Sequence, residues 1–408
     1  MNAYPIGTDS KGRAVAIAAR FAARHGGIFG ATGTGKSYSI ARLSEQFAVA
    51  GVPVCLIDVK GDLSGLARSI QCRFYAPDGG AAGARFSIRA DDMGADAMAR
   101  ALGLSDAQSG ALDILYAFAR DHARPLATLA DMQAALGELE SRRKALAPRY
   151  GHITPASLGV IRRALLRLEE APCELFGGPS FGLSDMLQPG ATIIDARRLY
   201  ESPALYGAAV LHLLESAWRG LPEIGDAGAP RLAIVIDEAH LAFGELPPAL
   251  LGRVERIVRL IRSRGASLWF ASQSPADIPA PILAQLGHRI QHGLRGATVA
   301  DMRAMRAAAE TLPINPAIDA GAMIGRLGVG QALVSVIGAD GTPSPVQVVK
   351  ITAPRAALAP IDGPDRAPFI PPGAPPQERK SAGSPSNLAP LSLIALIALA
   401  WILALHFA

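Results

Sequence analysis

Cysteine is scarce in this chain: Cys55, Cys72 and Cys173 form an odd, scattered set with no CxxC pair and no histidine at metal-ligand spacing. A disulfide framework and a structural zinc site are not expected, and a reducing cytoplasm is. Charge of one sign is also lacking. A formal net charge of +5 over 408 residues is too small an excess to mark a nucleic-acid-binding protein by itself. The N-terminus has no long apolar run behind a basic start, and Ala14 to Arg24, which reads as helix-like, carries Arg20 and Arg24, so no secretory signal is expected there. No internal repeat is visible.

Apolar residues, by contrast, make up 50% of the chain, enough for a sizeable packed core. Gly26 to Gly30 is a short apolar run ahead of a glycine-rich turn, and Lys36 to Val49 then follows a helical period. Val52 to Asp58 is a continuous apolar run ending in an acid, the pattern of a parallel strand covered on both faces. Ser105 to His122, Thr128 to Ala147 and Pro155 to Glu170 read as helices, and strands return at Ala191 to Asp195, Leu232 to Asp237, Ser267 to Ser272 and Ile290 to Leu294. Gln331 to Ile337 and Val346 to Ile351 read as a closing hairpin around Ala339-Asp340-Gly341.

This order predicts an α/β fold with a mostly parallel sheet. The expected divisions are 1–84 and 191–352 as two parts of one core, 85–190 as a mostly helical insertion, 353–387 as a Pro-rich linker and 388–408 as a transmembrane helix. Pro371-Pro372 and Pro375-Pro376 mark the linker. From Leu391 to Phe407 only Ser392 and His406 are polar, so the apolar run is long enough for one membrane crossing. Arg366, Arg379 and Lys380 lie upstream of it and no Lys or Arg follows, which predicts a single-pass tail anchor in the cytoplasmic membrane with the body in the cytoplasm.

The segment Gly30-Ala31-Thr32-Gly33-Thr34-Gly35-Lys36-Ser37 satisfies GxxxxGK[ST] between a strand and a helix. Its glycines let backbone N–H groups converge on the phosphates of ATP. Lys36 reaches the outer phosphates, and the Ser37 hydroxyl is a ligand for Mg2+. Leu232 to Glu238 is an apolar strand ending in two carboxylates, Asp237 as a second magnesium ligand and Glu238 as the base that deprotonates the attacking water. Gln273, at the end of the strand Leu268 to Ala271, can hydrogen-bond the γ-phosphate and the lytic water, or simply face solvent. Asp58 or Asp62 can stand behind the magnesium, or form a turn and helix cap. Arg253, Arg256, Arg259, Arg262 and Arg264 are candidates for an arginine donated to a neighbouring subunit, against the plainer reading of a solvated helix face. His240 reads as a structural partner of the loop after Glu238.

With these residues in view, the chain resembles the HerA/FtsK branch of P-loop ATPases, and most closely the bacterial YjgR-type, HerA-like proteins. The resemblance rests on Arg24-His25, GATGTGKS, IDVKGDLSG from Ile57, IDEAHLAF from Ile236, VRLIRSRG from Val258, SQSPADIP from Ser272, LGHRIQHGLR from Leu286 and LGVGQALVS from Leu327. It implies a RecA-like core, a homo-oligomeric, hexameric ring and DNA as substrate. It also implies Arg262 as the arginine acting in trans, Gln273 as the sensor and Arg24 as a contact to nucleotide. The segment ahead of Lys36 is expected to be too short for the N-terminal β-barrel of HerA. The expected function is an ATP-hydrolysing, helicase-like or translocase-like motor. The alternative is a membrane-bound, ATP-dependent switch or assembly factor acting on protein partners.

Overall fold

A computed structural model describes residues 2–372, except 226, 227, 245, 247 and 297. Short apolar runs separated by helices build twelve strands: β1 (Ala3–Asp9), β2 (Ala14–Ala18), β3 (Gly26–Phe29), β4 (Val54–Asp58), β5 (Cys72–Ala76), β6 (Ala84–Arg85), β7 (Ala191–Asp195), β8 (Leu232–Ile236), β9 (Ala266–Ser272), β10 (His288–His292), β11 (Gln331–Ser335) and β12 (Gln347–Ile351). They join one sheet in the order β2-β1-β12-β11-β10-β3-β9-β8-β4-β7-β5-β6. From β10 to β6 every pairing is parallel, and the β10-β11-β12-β1-β2 edge is antiparallel.

The central parallel strands β4, β7, β8 and β9 are buried along their whole length because helices cover both faces. Alternate residues of β4 show this: Val54 and Leu56 enter one apolar layer with Ile40, Leu43 and Phe47 of the helix Lys36–Val49, whereas Cys55 and Ile57 enter the opposite layer. That second layer includes the helix Pro203–Gly220 and three helices between β6 and β7: Asp106–Asp121, Leu129–Tyr150 and Pro155–Glu169. Each of the three starts where its sequence supplies a cap. Ser105 and Thr128 form capping boxes, and Thr154 accepts from the Ser157 N–H ahead of Pro155.

The N-terminus departs from expectation. Ala14 to Arg24 is no single helix: β2 runs to Ala18 and a 3₁₀ segment, Ala19–Arg24, follows. Alanine favours a helix in isolation, but buried Val15 and Ile17 repeat at a period of two, and pairing with β1 settles the strand. Pro5 and Gly7 in β1 conceal another period-two run, with Tyr4 and Ile6 turned inward.

Residues 353–372, expected to open a linker, lie against the body instead. Arg366 is only 1% exposed; its guanidinium reaches Asp195 at 2.6 Å, donates to the Ile361 and Ala82 carbonyls and stacks on Phe74. Phe369 meets the Phe74 ring edge to face. Proline-rich composition argued against packing here, yet one buried, fully engaged arginine and one aromatic anchor the segment. The expected transmembrane helix at 388–408 lies outside the described residues. Among those described, no helix is long and apolar enough to cross a membrane.

Candidate nucleotide-binding site

The loop after β3 is held open by its neighbours. The Gly30 N–H donates to the carbonyls of Ser272 and Gln273 at 3.3 and 3.1 Å, and the Ala31 N–H donates to Gly293 at 3.0 Å. Gly30 has φ 150°, and a Cβ there would stand 2.5 Å from that of His292, so no other residue fits. Gly35, with φ 118°, opens the helix Lys36–Val49, whose unpaired N-terminal N–H groups face the loop. Lys36 is buried and donates to the Gly30 carbonyl at 2.5 Å. Burial is the main influence holding this ammonium below its ordinary pKa, and Glu238 opposes it.

The order β3-β9-β8-β4 brings four carboxyl-terminal strand ends side by side. β8 runs directly into Asp237 and Glu238, both buried. Tyr206 donates its hydroxyl to the Asp237 carbonyl, and the Ala239 N–H donates to Ala271 at 2.8 Å, so the turn cannot drift. Burial pushes the Asp237 carboxyl up to about 6, although Lys60 pulls the other way. Glu238 itself has φ 44°, a left-handed conformation rare outside glycine, and this aims its side chain back along the sheet edge. Its Oε1 takes a 2.9 Å ion pair from Lys60 Nζ, while Oε2, with His240 Nδ1 3.4 Å away, makes no hydrogen bond among the described residues.

Asp58 ends β4 and shapes the next turn, with Oδ1 accepting the N–H groups of Lys60 at 3.1 Å and Gly61 at 2.8 Å. Its other oxygen is buried and makes no hydrogen bond among the described residues, and burial together with Asp62 raises its pKa to about 7. Asp62 lies in the first turn of the segment Asp62–Arg68 and does not cap it with its side chain. Gln273 is exposed at the end of β9. It lines a cleft of about 370 Å³ with Ala31, His240, Ser274, Asp277 and Arg295. The helix-opening Ser37 is half-buried beside the same loop.

Two of the expected residues stand elsewhere. Arg24 precedes β3 and Arg262 precedes β9, so both occupy the amino-terminal edge of the sheet, opposite the loop. They share a second cleft of about 250 Å³ with His25, Arg259 and Gln285. Arg24 donates to the Gly341 carbonyl at 3.0 Å and lies over the Phe21 ring. A full strand, Gly26–Phe29, thus separates Arg24 from Gly30 of its own chain and leaves it on the same edge as Arg262. Of the five arginines from 253 to 264, Arg253 is paired with Glu215, and Arg264 stacks on Trp218 while bonding the Leu221 carbonyl. Arg256, Arg259 and Arg262 are exposed and form no ion pair among the described residues. Lys60 was assigned no role from the sequence, although it stands in the IDVKGDLSG segment two residues beyond an acidic strand end.

The profile of the family described as Helicase HerA-like C-terminal matches residues 3–76 and 74–372, nearly all of the described chain. The chain belongs to this family. The match is to the family as a whole and does not single out the YjgR-type subgroup. Among solved structures, VirB4 of Thermoanaerobacter pseudethanolicus is similar with a TM-score of 0.62 at 16% identity, covering 86% of this chain and 96% of that one. The plasmid coupling protein TrwB, solved with the GTP analogue GDPNP, also gives 0.62 at 16% identity, over 88% and 91%. TrwB with ADP and Mg2+ gives 0.57 at 16%, over 84% and 88%. These likenesses show the P-loop ATPase fold of this HerA-like chain. Comparison with curated proteins gives no significant match.

Proposed function

We propose that this HerA-like chain hydrolyses ATP with Mg2+ and works as a ring-forming motor on DNA, tethered to the cytoplasmic membrane face by its apolar C-terminal run. The observation that carries the hydrolytic part is the convergence of Lys36, Asp237 and Glu238 at one sheet edge, with a buried Glu238 oxygen that makes no hydrogen bond among the described residues. Such an oxygen suits a proton acceptor. The residues also fit the nucleotide: the Gly30 cradle excludes any side chain, and Lys36, now folded onto the Gly30 carbonyl, has only to release it to reach a phosphate. Ser37 and Asp237 would hold magnesium, which when bound neutralises charge on the transferring phosphoryl group. Glu238 orients and deprotonates the water, and Gln273, open to the cleft beside Ala31, contacts water or the terminal phosphate.

Ring formation is supported by Arg262. It faces solvent on the edge of the sheet that does not carry the P-loop, as an arginine given to a neighbour must. TrwB, a plasmid coupling protein, supports action on DNA. ATP turnover measured with and without single- and double-stranded DNA tests the reading: stimulation supports a DNA motor, and turnover indifferent to both would favour the switch acting on protein partners.

A further inference from the structure

β4 and β8 are adjacent and in register, with Ile57 beside Ile236, so the turn after β4 stands next to the turn after β8. The β4 turn is stiff. Asp58 Oδ1 accepts the N–H groups of Lys60 and Gly61, Gly61 has φ 82°, and the Ser64 hydroxyl donates to the Gly61 carbonyl at 2.6 Å. The C-terminal segment tightens it further, since the Ile361 N–H donates to Ser64 Oγ at 2.8 Å. Lys60 therefore leaves a fixed backbone and reaches Glu238 Oε1 at 2.9 Å.

This pairing is asymmetric in a useful way. A carboxylate that is 5% exposed has two equivalent oxygens, and Lys60 engages one while the other, with His240 Nδ1 3.4 Å away, makes no hydrogen bond among the described residues. Burial alone would lower the Lys60 ammonium, but Asp237 and Glu238 outweigh it and hold its pKa above the ordinary value, so Lys60 is a constant positive charge. Lys36 cannot take this role, because its Nζ is turned to the Gly30 carbonyl.

We propose that Lys60 is the positioning residue for the hydrolytic base: its ammonium pins Oε1 of Glu238 and thereby presents Oε2 to the attacking water. The inference rests on the reading of Glu238 as that base. Lys60 takes no proton and touches no reacting atom. Its side chain is 37% exposed, so replacing it leaves the core intact.

The test compares Lys60→Met and Lys60→Arg with wild type and Glu238→Gln, measuring steady-state ATP turnover alongside equilibrium binding of a fluorescent ATP analogue. The expected result for Lys60→Met is a fall in kcat of about tenfold or more with nucleotide affinity changed less than threefold. Lys60→Arg, which keeps a charged donor, should recover much of the loss. In the Glu238→Gln background the Lys60→Met change should cost nothing further, because no carboxylate remains to orient. Unchanged kcat in Lys60→Met, an equal loss of nucleotide affinity, or the same fold-loss with and without Glu238 would each overturn the proposal. Normal turnover by Glu238→Gln would instead sink the base reading beneath it, and the two failures are distinct.

Discussion

Arg262→Ala and Glu238→Gln proteins, each inactive alone, should regain activity when mixed and allowed to assemble together. The seven residues of β9, Ala266–Ser272, span about 23 Å at the usual rise of a strand, and Arg262 lies beyond one end while the P-loop lies beyond the other. No side chain covers that distance, so Arg262 can act only on a neighbour's nucleotide. Losing such an arginine should cost on the order of 10³-fold in turnover. In a random one-to-one ring, half of the subunits keep Glu238 and half of their neighbours keep Arg262. About a quarter of the interfaces are then intact, which sets the expected recovery near a quarter of wild-type rate if sites fire independently. The assay is ATP turnover against mixing ratio, with native mass spectrometry to establish mixed rings. Mixed rings with no recovery, or an Arg262→Ala protein as active as wild type, would refute the shared-site geometry.

Lys36→Ala should abolish nucleotide binding or turnover, because it removes the cation that meets the outer phosphates; titration with a fluorescent ATP analogue checks it. Arg366→Leu should destabilise the body by about 2–4 kcal/mol, short of the cost of a wholly unpaired buried charge because Arg197 still pairs with Asp195; thermal melts and proteolysis near residue 360 report it. Burial holds His25, His288 and His292 each at about 4, so the fold keeps them neutral while the unfolded chain protonates them near 6.5. The contribution of these histidines is thus fully present above pH 6.5 and is lost as pH falls toward 4, by up to about 1.4 kcal/mol per unit for each, while Asp58 and Asp237, held at about 7 and 6, bind protons in the folded protein and offset part of the loss; replacing both acids by asparagine should expose the full fall, and a Tm flat over that range in that variant would contradict it. The full chain should resist extraction from membranes by high salt and alkaline carbonate, and a protein ending near Pro385 should be soluble.

The parallel half of the sheet was legible because burial on both faces leaves unbroken apolar runs such as Leu232–Ile236, and the P-loop was legible because its glycines have no substitute. The hairpin β11-β12 also follows the pattern expected around Gly341. Strands at the edges were not legible: β1 is interrupted by Pro5 and Gly7, β2 is alanine-rich, and β6 has two residues. For β1 the pairing partner β12 also lies more than 330 residues away, and no local window carries that information. The same limit hid Lys60, whose partner Glu238 is 178 positions away.

ATP turnover by Glu238→Gln, set beside its binding of Mg-ATP, tests the account at its centre. The geometry predicts a protein that binds the nucleotide as wild type does and turns it over at least about 10²-fold more slowly. Turnover near the wild-type rate would contradict it.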